Sequence, residues 1–270
     1  GFQVTNVDVC WYGKVFPETV VADYRSLPID FIQEFSHIIL LAGHASPAIA
    51  GDESLMPCFK NNVQNFVGLV EKMSDDQTLI YASTAAITNS PGDEQIDESY
   101  PLSAPVDFYT GTKQTIEAIA AAYPNKKLIG LRFGTVAGHS KNFRSENLFN
   151  AISVDAFTTG KFVISNPNAW RSVLSIYDLC RAIYNIIDQG YKNPIYNLVT
   201  WSKPILQFGQ RMSELHGATM IINKSLPTKY SFNCSNERFR EDYGLIFSSP
   251  LEELYEDIIS NLSETPINVK

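Results

Sequence analysis

The chain has no basic block, no long apolar run and no cysteines at metal-binding spacing, and each absence excludes a class of function. Lys and Arg number 21 against 29 Asp and Glu, a net charge of −8. Without a cationic stretch there is no electrostatic footprint for a phosphate backbone, so nucleic acid is not an expected partner. The longest strongly apolar stretch, Ile38-Ile39-Leu40-Leu41-Ala42, falls far short of the roughly 20 residues that cross a bilayer. No stretch of the signal-peptide kind opens the sequence. Neither a membrane nor secretion is expected, and the expected location is the cytoplasm. Cys10, Cys58, Cys180 and Cys234 are widely scattered, as are His37, His44, His139 and His216. Neither a disulfide framework nor a metal site is expected, and the cysteines read as small buried apolar residues.

What is present is ordinary for a globular protein: 270 residues, 44% hydrophobic and 19% charged, with 15 Gly and 14 Pro. Strand-like and helix-like segments alternate, the pattern of a mostly parallel sheet with crossover helices. Strands are expected over 4–9, 37–42, 78–82, 127–133 and 195–199. Helices are expected over 30–35, 55–73, 108–122, 175–188, 205–216 and 250–262. The run over 37–42 is continuously apolar, as in a strand buried on both faces. Tyr123-Pro124 ends the 108–122 helix, because proline disfavours helical geometry in the residue before it. Beyond about residue 140 the rhythm turns irregular, which suggests one α/β domain with a smaller C-terminal lobe.

Two residues in this frame suggest chemistry. Tyr109 and Lys113 stand four apart on an expected helix and so share one face. A phenol is a poor base at neutral pH because its ordinary pKa is about 10. A neighbouring ammonium favours the phenolate and brings proton transfer within reach. Upstream, Leu79-Ile80-Tyr81-Ala82 runs into the hydroxyls of Ser83 and Thr84. Side chains at such strand ends face the ligand crevice of a parallel sheet, although the pair could equally serve only to satisfy the strand end.

Taken in order, these segments resemble the extended short-chain dehydrogenase/reductase family, in its nucleoside-diphosphate-sugar epimerase/dehydratase branch. The segments that carry the resemblance are His37 to Gly43, Asn61-Asn62-Val63, Tyr81-Ala82-Ser83-Thr84, Tyr109-Thr110-Gly111-Thr112-Lys113, Leu131 to Gly138, Asn147-Leu148 and Trp170 to Asp178. The resemblance implies a Rossmann-like doubly wound parallel sheet with a smaller C-terminal α/β substrate-binding lobe. It places the NAD-binding part at 1–143 and 172–200 and the substrate lobe at 144–171 and 201–270. Tyr109 would transfer the proton, Lys113 would lower its pKa and hold the nicotinamide ribose, and Thr84 would bond the reacting hydroxyl. NAD would lie among Asp8, Asp23, Tyr24, Leu41, Ala42, Gly43, Asn62 and Ala82, with Asp8 on the adenosine ribose. A nucleotide sugar would meet Thr84, Thr135, Asn147, Leu148 and Arg171. The guanidinium fork of Arg171 suits a diphosphate, and the alternative for it is a surface or interdomain ion pair. A homodimer through the helix that carries Tyr109 is also implied.

Two departures from the family pattern matter. Its 4,6-dehydratases place acidic residues directly after the catalytic hydroxyl, whereas Ala85 and Ala86 stand here. Epimerisation is therefore expected, reduction of a keto sugar or other carbonyl is the alternative, and dehydration is disfavoured. The family also opens with a strand and a Gly-x-x-Gly-x-x-Gly turn for the pyrophosphate, which occurs nowhere in this sequence. Since a missing central strand would expose apolar edges, the sequence is expected to omit an N-terminal stretch of the natural protein. A degenerate binding or scaffold protein is the third reading.

Overall fold

The computed structural model describes residues 1–11, 13–44, 55–90, 92–223 and 230–264. They divide into two compact units, one of residues 1–83 and 104–131, the other of residues 84–103 and 132–270. These units follow compactness and do not coincide with the division by ligand expected from the sequence.

The first unit begins with β-branched pairs that form two short parallel strands, β1 (Val7–Asp8) and β2 (Val20–Val21), with Val7 opposite Val20. The strand expected over 4–9 shrinks to two paired residues. The Asp8 carboxylate accepts the Cys10 amide at 2.5 Å, and Cys10 turns the chain at φ 57°, which ends the extended run. A single turn at Tyr24–Ser26 and the short helix α1 (Ile29–Gln33) lead to β3 (His37–Leu40). The helix expected over 55–73 is realised as α2 (Leu55–Phe59), a π turn (Lys60–Gln64) and α3 (Asn65–Val70). Then come β4 (Thr78–Thr84), α4 (Phe108–Ala121) and β5 (Lys127–Phe133), whose last residues pass into the second unit.

In one sheet β3, β4 and β5 follow in that order, and β3 pairs with β4 in parallel, Ile38 opposite Leu79 and Leu40 opposite Tyr81. That register puts Ile38, Leu40, Leu79 and Tyr81 on one face, where they pack with Phe66, Val70 and Ile116. Phe66 meets Tyr81 edge-on with ring centroids 5.0 Å apart, the geometry that ring quadrupoles favour. Helix α4 starts where the sequence supplies a cap: the Asp107 side chain accepts the Thr110 amide, and the Thr110 hydroxyl accepts the Asp107 amide. Such reciprocal capping contributes about 1 kcal/mol. Tyr109, Thr110, Thr112, Lys113, Ile116 and Ala120 are its buried residues, so the side that anchors the helix also carries the phenol and the ammonium.

The second unit holds β6 (Thr135–Ala137), α5 (Leu148–Thr159), β7 (Lys161–Ser165), β8 (Trp170–Ser175), α6 (Ile176–Gln189), β9 (Ile195–Leu198), β10 (Trp201–Pro204), α7 (Ile205–His216), β11 (Thr219–Asn223), α8 (Glu237–Tyr243) and α9 (Leu251–Glu264). Strand β8 pairs in parallel with β6 and antiparallel with β10, while β7 and β11 form a separate parallel pair. Phe149, Ile152, Phe162, Ile164, Phe208, Met212, Leu254 and Ile258 make its core.

Gly138 follows β6 at φ 122°, where an added Cβ would fall 2.7 Å from Ile176 Cγ2 and 3.1 Å from Leu254 Cδ2. Gly138→Ala is expected to cost about 2 kcal/mol through strain and overpacking, read as a lower midpoint in thermal unfolding. An unchanged midpoint would contradict the close approach.

Candidate active site

The π turn places Asn62 inward at the centre of a polar knot. Its Oδ1 accepts the His44 amide at 2.8 Å, and its Nδ2 donates to the Thr112 hydroxyl of α4 at 2.9 Å and to the His44 carbonyl at 3.2 Å. A π turn inserts an extra residue into a helix and recurs at functional sites for that reason. Here it ties the segment after β3 to α4. Gly43, at φ 139°, leaves room for the knot, since a Cβ there would stand 2.6 Å from Asn62 Oδ1. Cys58 packs against Tyr109 beneath it.

One turn along α4, Lys113 is 7% exposed and donates to the Ala82 carbonyl at 2.7 Å. Its Nζ lies 6.0 Å from the centroid of the Tyr109 ring, so both side chains lie on the same side of the helix. Burial pulls the ammonium down from its usual 10.5 to about 8, against the smaller opposing influence of Cys58 and Glu117. Beside it a small cleft is lined by Tyr24, Leu40, Ala42, Asn61, Asn62, Ala82 and Lys113, among others. Burial, with the Asp23 carboxylate adding to it, raises the Tyr24 phenol to about 12, and its hydroxyl points to the Asn61 carbonyl at 3.5 Å.

The other residues singled out for the dinucleotide also lie in the first unit. Asp23 caps the turn at Tyr24–Ser26 and pairs with Arg25, which holds its carboxyl below the usual range. Asp8 is exposed at the end of β1, and Leu41 and Ala42 are exposed just after β3. The structure brings Tyr24, Ala42, Asn62, Ala82 and Lys113 to one cleft; Asp8, Asp23, Leu41 and Gly43 are not among the residues that line it.

The residues singled out for a sugar nucleotide all lie in the second unit. Thr84 is 9% exposed, and its Oγ1 accepts the Ala86 amide at 3.3 Å to cap a short turn at Ala85–Ile87. Thr135 sits on β6 opposite Val173. Asn147 precedes α5 and donates to the Val136 carbonyl at 3.1 Å, and Leu148 packs against the core of this unit. Arg171, on β8, stacks over Phe232 with its guanidinium carbon 5.4 Å from the ring centroid, and its Nη1 donates to the carbonyls of Trp170 and Tyr230. No carboxylate pairs with it among the described residues, and burial lowers its pKa to about 10. The ion pair considered as its alternative role is not formed there.

The sequence profile of the NAD dependent epimerase/dehydratase family matches residues 18–198. The chain belongs to that family. No curated protein matches it in sequence, but solved structures share its fold. The NAD-dependent NDP-hexosamine 5,6-dehydratase TunA of tunicamycin biosynthesis superposes with a TM-score of 0.84 at 15% identity, over 97% of this chain and 90% of that one. A dTDP-glucose 4,6-dehydratase from Bacillus anthracis, in complex with NAD, gives 0.80 at 18% identity, over 98% and 89%. A UDP-glucuronic acid 4-epimerase from Bacillus cereus, in complex with its sugar nucleotide and NAD, gives 0.76 at 17%, over 92% and 82%. At these identities the likeness is one of fold, and the fold is Rossmann-like α/β.

NAD is the cofactor of this family, and the residues fit one end of it. A buried ammonium spends one N–H on Ala82 and adjoins a small cleft where Tyr24, Asn61 and Asn62 stand among apolar residues such as Leu40, Phe66 and Ile116; its remaining donors suit ribose hydroxyls. No glycine-rich turn for the diphosphate occurs in these 270 residues. Sequence reasoning noted the Ser83 hydroxyl but missed Glu117, to which it donates. The signal for Glu117 was its standing four residues beyond Lys113, as Lys113 stands four beyond Tyr109.

Lys113 fixes a pH dependence of stability. Its folded pKa of about 8 lies below the usual 10.5, so between those values the unfolded chain binds more protons and stability rises with pH. Urea unfolding of wild type and Lys113→Met across this range should diverge, the wild type gaining on the order of 3 kcal/mol relative to the variant. Parallel curves would show that the ammonium does not carry this burial cost.

Proposed function

We propose that the protein is an NAD-dependent epimerase of a nucleotide sugar that works through a transient keto intermediate. The observation that carries this reading is Lys113, buried beside Tyr109 and held by the Ala82 carbonyl. Its positive charge favours the phenolate, so Tyr109 can take the proton of a substrate hydroxyl and later return it. Thr84 would bond that hydroxyl, since its Oγ1 accepts from Ala86 and its own O–H remains to donate. Bound NAD would supply reversible hydride transfer, its adenosine and ribose ends held by Asp8, Asp23, Tyr24, Asn62 and Lys113, with Leu41 to Gly43 and Ala82 alongside. Thr135, Asn147, Leu148 and Arg171 would hold the sugar nucleotide, Arg171 taking the diphosphate with the donors it does not spend on carbonyls. Ala85 and Ala86 are 0% and 8% exposed and carry no proton donor, which supports epimerisation over an elimination that needs an acid directly after the hydroxyl.

A homodimer goes with this reading. The surface of α4 and its neighbourhood presents Phe59, Val106 and Phe108 at 40%, 39% and 45% exposure, and Pro105 and Ala118 line the same depression. An apolar patch beside the Tyr109 helix supports self-association there.

Incubation with NAD and a panel of UDP-, dTDP- and GDP-sugars tests the activity. Interconversion of one epimer pair is expected without net change in NADH, and Tyr109→Phe should lower the rate by about 10²–10⁴. Net formation of NADH as the sugar is oxidised, or its stoichiometric consumption when NADH and a keto sugar are supplied instead, would make the protein an oxidoreductase; loss of water from the sugar would make it a dehydratase, and no reaction alongside no NAD binding would leave a binding protein. Ala118→Glu should halve the mass seen by analytical ultracentrifugation; a mass already that of one chain would refute the dimer.

A further inference from the structure

Tyr109, Lys113 and Glu117 stand at successive four-residue steps on α4, which puts phenol, ammonium and carboxylate along one side of the helix. Two neighbouring residues of β4 meet the last two of them. Ala82 accepts from Lys113 through its carbonyl at 2.7 Å, and the Ser83 hydroxyl donates to Glu117 Oε1 at 2.5 Å. Cys58 of α2 lies next to Tyr109, and Tyr24 and Tyr81 line the cleft that Lys113 closes. β4 brings no charged group to this spot. Of the two titratable groups that act on Lys113 among the described residues, Cys58 and Glu117, Glu117 is the carboxylate.

From this arrangement we propose that Glu117 is a positioning residue, the counter-charge that keeps the buried Lys113 ammonium protonated and, through Ser83, fixes the end of β4 against the helix. The inference rests on the reading of Tyr109 and Lys113 as the proton-transfer pair. An ammonium taken out of water loses hydration that one carbonyl does not replace, and an anion nearby offsets part of that loss. Cys58 and, after it, Glu117 act in this sense on Lys113, opposing the downward pull of burial. If the amine lost its proton, it would no longer stabilise the phenolate.

The test is the titration of Lys113 itself, followed by NMR in the lysine-labelled 270-residue chain and assigned by its loss in Lys113→Met. Glu117→Gln should move the midpoint to lower pH by about one unit, the size expected for loss of a nearby opposite charge. Glu117→Asp should restore most of it, and Ser83→Ala, which removes the tether but no charge, should leave it in place. The alkaline limb of kcat/KM should move with the midpoint. A Lys113 midpoint that stays put in Glu117→Gln, or moves equally in Ser83→Ala, overturns the role of Glu117. An active Tyr109→Phe instead overturns the proton-transfer pair, and this inference with it; an inactive Tyr109→Phe with an unmoved lysine overturns only the inference.

Discussion

The site depends on one costly placement, a lysine ammonium buried on the core-facing stripe of α4. Burial of a charge is tolerated only with partners. Lys113 has the Ala82 carbonyl directly, and a carboxylate one turn further along. Around this cation the first unit is arranged in a consistent way. The Asp107 cap sets where α4 begins, Ile116 and Ala120 anchor its far half in the core, and the Asn62 knot holds its near half through Thr112. Moving any of these would shift the ammonium against the Ala82 carbonyl of β4.

The chemistry assigned to the two ligands falls on different parts of the chain. Every residue assigned to the dinucleotide belongs to the first unit, and every residue assigned to the sugar nucleotide belongs to the second. The boundary passes between Ser83 and Thr84, which are neighbours in sequence with different tasks. Ser83 turns to the carboxylate of α4, whereas Thr84 caps the turn at Ala85–Ile87. A strand end is well suited to such a division, because successive side chains leave it on opposite faces.

Arg171 shows a comparable economy in the second unit. Stacking on Phe232 and bonding to two carbonyls fix the plane of the guanidinium without neutralising it. In the role proposed for it, a cation so held would have less side-chain entropy left to lose on binding a bidentate anion. The same partners also stitch β8 to the segment around residues 230–232, so the arginine has a structural role as well.

The α/β class, the order of strands and helices, and the Tyr-x-x-x-Lys pair were legible in the sequence, because each rests on periodicity or spacing that survives in one dimension. Helix α4 falls within a residue of its expected bounds, since Asp107 starts it and Tyr123-Pro124 is a local stop signal. Family membership was legible from the ordered segments between residues 37 and 178. Only the tertiary structure decided the rest. It broke the expected 55–73 helix with a π turn that aims Asn62, cut the first strand to two residues at the Asp8 turn, paired Asp23 with Arg25, and set Glu117 against Ser83. These features arise from contacts between residues distant in sequence, or from competition between local hydrogen bonds, and neither leaves a periodic trace. The sequence determined which residues are candidates for the chemistry; folding decided which of them meet, because burial and charge balance are properties of neighbours in space.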